Sequence, residues 1–145
     1  MTREARLEVR RLVRARPERV FAAWTSSEQL KQWWGPAGGT CGRAEVDLRP
    51  GGRYRIENLF PDGRTIWIVG EFEAVTPPHE VVYTWRVEPG GGPRERVTVR
   101  FEQRGDGTEV VVVHEQIPDE PTRARHEQGW IGCLSGLAEY LGRAS

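Results

Sequence analysis

A single long helical pattern closes a chain that otherwise reads as strands and hairpins, and that ordering leaves few folds open. Between Pro121 and Leu141, the residues His126, Trp130, Cys133, Leu134, Leu137 and Leu141 recur at helical spacings. At about 100° per residue they share one face. A lone amphipathic helix must bury its stripe against a sheet, so the helix and sheet interface is the place to look for a site. Gly129, Gly132 and Gly136 lie beside the stripe. They either let backbone approach closely or leave space unfilled.

Upstream, Leu7, Val9 and Val13 alternate with charged neighbours, as a half-buried strand requires. Arg11 shares their face and is either a pocket-facing cation or a strand-end residue that snorkels out. Pro17, Val20, Phe21 and Trp24 mark a short helix. Ser26 followed by Gln29 has the capping-box spacing of a second one, which carries Leu30, Trp33 and Trp34 until Gly35 and Pro36 stop it. After a loop at 35–40, Ala44, Val46 and Leu48 alternate as a second strand, closed at Pro50, Gly51 and Gly52. Tyr54, Ile56 and Asn58 form the inward side of a third. Pro61, Asp62 and Gly63 are turn residues that pair it antiparallel with a fourth strand over 64–75.

The fifth strand sets Val81, Tyr83, Trp85 and Val87 on one side, and a loop at 88–93 breaks it. In the sixth, Val97, Val99 and Phe101 point in, while Thr98, Arg100 and Glu102 point out. Gly105, Asp106 and Gly107 then turn the chain into a seventh strand, whose inward series is Thr108, Val110, Val112, His114 and Gln116. His114 is therefore expected to face the long helix.

The 145 residues suit one domain spanning 1–145, with 21 basic residues balanced by 21 acidic ones. Such a balance offers no field for nucleic acid or an acidic membrane, and neither is expected as a partner. Arg3, Arg6 and Arg10, interleaved with Glu4 and Glu8, read as a solvated sheet edge. Cys41 and Cys133 have no ligand or redox spacing and are expected to be buried free thiols. No apolar run of about 7 to 15 residues follows the early arginines, so no secretory leader is expected. No stretch nears the roughly 18 apolar residues of a membrane span. A cytoplasmic protein is the expectation, as monomer or homodimer.

Phosphate-loop, dinucleotide, zincin and hydrolase-elbow motifs are missing from the sequence. His79, after Pro78, reads as a solvated turn residue. His114 and His126 face one interior, but without a firmly inward carboxylate they are a poor ligand set, even with Glu115 or Cys133 near in sequence. Neither a metal nor another cofactor is expected. Held near Glu71 or Tyr83, His114 could act as a catalytic acid or base on a carbonyl substrate. If Ile68 and Phe72 face the core, however, Glu71 and Trp67 face solvent and the acid is lost. The bland alternative is a core-edge histidine satisfied by a backbone carbonyl or by Trp130. Six tryptophans suggest aromatic walls that suit a flat or apolar ligand. The candidate lining is Trp33, Trp34, Tyr54, Tyr83, Trp85, His114, His126, Trp130 and Leu134, with plain core packing as the alternative.

The runs RARPERVFAAWTSSEQLKQWWGP, DLRPGGRYRI, GEFEAVTPPHEVVYTW, VTVRFE, GTEVVVVHEQ and GWIGCLSGLAEYL, in this order, resemble the domain named after the activator of heat-shock protein 90 ATPase. That family is part of the START-like, birch-pollen-allergen-like superfamily abbreviated SRPBCC. The resemblance implies an α+β helix-grip fold: a curved antiparallel sheet of about seven strands around the long carboxy-terminal helix, with two short helices after the first strand and an apolar pocket between. It also implies three functional expectations. The first is a protein that binds a small apolar or aromatic molecule. The second is an enzyme of the polyketide cyclase or hydrolase kind using His114. The third is a co-chaperone-type module whose protein partner, a chaperone or other, docks on the outer face of the sheet.

Overall fold

The computed structural model describes residues 5–35, 38–90 and 92–143. Arg3, Glu4 and the helix stop at Pro36 lie outside the described residues. The elements are β1 (Ala5–Val13), α1 (Pro17–Thr25), α2 (Ser27–Trp33), β2 (Thr40–Val46), β3 (Arg53–Leu59), β4 (Thr65–Thr76), β5 (Glu80–Glu88), β6 (Glu95–Arg104), β7 (Gly107–Ile117) and α3 (Glu120–Arg143). The strands form one antiparallel sheet in the order β1-β7-β6-β5-β4-β3-β2. Strands β2 to β7 follow one another as neighbours, so hairpin chemistry accounts for five of the six pairings. The sixth joins β1 to β7, which leaves α1 and α2 to carry the chain from one edge of the sheet to the other. This is the α+β architecture expected from the sequence.

Local signals act as their chemistry requires. Pro17 opens α1, and Ser26 Oγ accepts from Gln29 N at 3.2 Å to cap α2. Asp119 Oδ1 accepts from Thr122 N at 2.8 Å and caps α3. The buried face of α3 is Trp130, Cys133, Leu134, Leu137 and Leu141, and it meets Val97, Val99, Phe101, Val110 and Val112 in one core. Arg11 is exposed on the edge strand β1. Ile68 and Phe72 are buried, whereas Glu71 is exposed and Trp67 lies under the Arg55 guanidinium. The acid considered for His114 is therefore on the solvent side.

Three expectations shift. Strand β2 begins at Thr40, earlier than the alternation from Ala44 suggested, because a register shift between Cys41 and Ala44 masks its first residues. Leu48 is exposed beyond its end, and Cys41 is only half-buried. Gln116 does not continue the inward series of β7. Its φ of 63° turns the strand there, and Ile117 is buried in its place.

Candidate functional site

Among the described residues the buried polar side chains include Glu95 and His114. Glu95 opens β6, two residues before Val97, and so shares the inward face of Val97, Val99 and Phe101. It stands opposite Trp85 on β5. The first β6 and β7 pair is Arg96 with Glu115, so Glu95 lies where the ladder ends and β7 kinks at Gln116. One helical turn separates His126 from Trp130, which sets both on the sheet side of α3.

These elements converge on a single carboxylate oxygen. His114 Nε2 lies 2.7 Å from Glu95 Oε1, and His126 Nε2 lies 2.9 Å from the same atom. The imidazoles stack with centroids 4.6 Å apart and planes 17° from parallel. On its other side, His114 Nδ1 receives the Trp130 Nε1–H at 3.0 Å. An indole N–H only donates, so Nδ1 must be the acceptor and Nε2 must carry the hydrogen given to Glu95. Burial pushes the His114 imidazole below its ordinary pKa, outweighing the Glu95 hydrogen bond that pushes it back. Burial also works to raise the Glu95 carboxyl, but the two imidazole hydrogen bonds together hold it below the usual carboxylate value. The centre is an ionised carboxylate held by two imidazole N–H groups.

This geometry revises the role of His114. It is 0% exposed with both nitrogens engaged, so it has no free atom to act as acid or base. Neither Glu71 nor Tyr83 is its partner. Tyr83 Oη instead accepts from Trp24 Nε1 at 3.3 Å. Glu95, Nε2 of His114 and Nε2 of His126 lie within metal-ligand reach of one another, all ligand atoms within 4.8 Å. The donor set does not fit a metal, however, because Trp130 fixes the hydrogen on His114 Nε2 and only two ligand atoms remain. Cys133 takes no part. Burial pushes its thiol up to about 12, and it lies against the Gly35 backbone.

The aromatic residues expected to line a pocket are brought together, but mostly as satisfied core. Trp33 Nε1 donates to Ala23 O at 2.9 Å, Trp34 Nε1 to Asn58 Oδ1 at 2.8 Å, and Tyr54 Oη to Thr84 O at 2.6 Å. Trp24 of α1 stacks on Trp130 with ring centroids 5.9 Å apart and borders the space between α2 and the sheet. The void there, lined by Trp24, Leu30, Val46, Tyr54, Ile56, Phe72 and Tyr83, measures about 20 Å³. That is room for about one water, so the apolar pocket implied by the resemblance is filled by the protein's own rings. Trp85 is the exception. Its ring packs on His114, His126 and Trp130 at 4.9, 5.9 and 5.3 Å, and its buried Nε1 has no partner among the described residues.

Residues 14–142 match the model of the Activator of Hsp90 ATPase homolog 1-like protein family. The chain belongs to this family. Among solved structures, a protein from Chromobacterium violaceum is 29% identical with a TM-score of 0.85, over 94% of this chain and 96% of that one. The AHSA1 protein from Silicibacter pomeroyi is 28% identical with a TM-score of 0.86, over 97% and 100%. A Rhodobacter sphaeroides protein, 24% identical with a TM-score of 0.82 over 97% and 93%, shares the fold. Among curated proteins, none matches the chain. No described helix is long and apolar enough to cross a membrane.

Proposed function

We propose that the chain binds a small aromatic molecule bearing a polar group, at the end of the interior where Trp85, Glu95, His114 and His126 meet. One observation carries this reading: the Trp85 indole N–H is buried and has no acceptor among the described residues. A buried donor left unpaired costs about 1–3 kcal/mol, which a ligand oxygen set against it would offset. The rings of Trp34, Trp130 and His126 around Trp85 supply the flat apolar contact that suits an aromatic ligand. The small void described above lies beside Trp24 and Tyr83 and not beside Trp85, so the ligand reaches Trp85 by local displacement of side chains, which favours a single ring over a long lipid.

The six indole N–H signals of a nitrogen-15 spectrum test this. Trp85→Phe assigns the Trp85 signal by its loss. Titration with small aromatic ketones, amides and phenols is expected to move that signal and to raise the Tm of the native chain but not of the variant. A panel that leaves the Trp85 signal in place, or stabilises both proteins equally, counts against the site.

A further inference from the structure

Two polar atoms at this site have no partner among the described residues, the buried Trp85 Nε1 and the Nδ1 of the part-exposed His126, and they are of opposite kinds. Trp85 Nε1–H can only donate. His126 gives its Nε2–H to Glu95 at 2.9 Å, so its Nδ1 is an acceptor, and no described residue bonds it. The His126 side chain keeps 16% of its surface in solvent, against 0% for His114. Its ring and that of Trp85 meet edge-on with centroids 5.9 Å apart. A hydroxyl is the smallest group that answers both atoms, accepting from the indole and donating to the imidazole. A ligand that enters as a carboxylate would meet the ionised Glu95, which stands opposite Trp85 across the β5 and β6 ladder.

We propose that the ligand is a phenol, and that His126 accepts its proton at Nδ1 with Glu95 as the counter-charge. This rests on the ligand-binding reading above and names its chemical class. In the transfer the phenol O–H bond breaks, its electron pair stays on the oxygen, and the proton forms an N–H bond at Nδ1. The resulting imidazolium lies between the phenolate and the Glu95 carboxylate, while the Trp85 N–H bonds the phenolate oxygen. Anionic groups stand around the His126 ring. Glu95 on β6 is ionised, His114 on β7 is neutral with Glu115 beside it, and Asp119 at the start of α3 is a further anion acting on the ring. On α3 itself, Arg123 is paired with Glu120 and Glu127, and Arg125 donates to Thr122 Oγ1. A carboxylate that orients an imidazole by one nitrogen and leaves the other free is the arrangement of an activated base.

The probes are para-nitrophenol, whose phenolate is yellow, and its methyl ether para-nitroanisole, which has the same ring and no proton to give. With the buffer below the phenol's own pKa, the native chain is expected to bind the phenol about tenfold more tightly than the ether, the worth of one charge-assisted hydrogen bond. The bound phenol is expected to show the phenolate spectrum. Glu95→Gln keeps an acceptor oxygen without the charge, and His126→Gln keeps a donor to Glu95 but puts a non-basic carboxamide oxygen in place of the imidazole nitrogen. With folding checked by melting curves, each is expected to bind the phenol without the yellow form and more weakly than the native chain does. If both probes bind the native chain equally and colourlessly, the proton transfer is overturned while the binding site stands. If neither binds, the binding reading itself fails. Yellow phenolate persisting in both variants removes Glu95 and His126 from the transfer.

Discussion

The Trp130 indole decides which hydrogen His114 carries, and through it the state of the whole polar centre. Replacing Trp130 with Phe keeps an aromatic ring but leaves His114 Nδ1 a buried acceptor without a donor. Such a loss costs about 1–3 kcal/mol, with a further loss for the smaller ring. Urea unfolding of Trp130→Phe reads the sum, and a change of only a few tenths would show that the 3.0 Å hydrogen bond does not hold the histidine. His114, His126 and Trp130 were all legible as inward residues from two periodicities. Glu95 was not, although one more step of two from Val97 places it on the same face. Carboxylates are rarely buried unless paired, and the partners that make its burial tolerable come from β7 and α3, which sequence alone does not bring to it. The same holds for Trp24, whose stacking on Trp130 depends on how α1 crosses the sheet.

Among the elements, α3 and the end of α2 meet so closely that their separation is set by a missing side chain. A Cβ built on Gly136 would lie 2.6 Å from the Trp33 carbonyl oxygen, which is backbone and cannot swing away. Alanine favours a helix over glycine by about 1 kcal/mol. Here overpacking of about 1–3 kcal/mol outweighs that gain. Gly136→Ala is therefore expected to lower stability in thermal or urea unfolding, and a rise in Tm would show that α2 and α3 can separate freely. The glycines beside the helical stripe left close approach and empty space as alternatives, and at Gly136 close approach holds. Element types were legible because hairpin turns and alternation are local. The kink at Gln116 and the register shift in β2 were not, since each depends on pairing with a neighbouring strand.

At the scale of the whole molecule, the strand order follows from consecutive hairpins, but the pairing of β1 with β7 and the filling of the interior arise only when the sheet and helices assemble. The Glu95 centre ties β6, β7 and α3 together, so its protonation bears on global stability. The His114 imidazole takes up a proton near pH 6.5 in its ordinary state, and a glutamate near 4.5. Both folded values lie lower. As pH falls past each ordinary value the unfolded chain binds more protons than the folded one, so acid favours unfolding. The stabilisation is complete above pH 6.5 and is lost first through His114. Below pH 4.5 the loss continues through Glu95, together with Glu8 and Glu73, which arginine hydrogen bonds also hold low. The histidine share is separable in the interval above that carboxylate range. The urea-unfolding free energy is expected to be level down to about pH 7 and to fall between about pH 6.5 and 5. In His114→Gln, which titrates in neither state at this position, the fall over that interval is expected to be shallower although the variant is less stable throughout. A native curve that stays level to about pH 5 would mean that His114 protonates as readily folded as unfolded, and that the buried imidazole is not held neutral between Trp130 and Glu95.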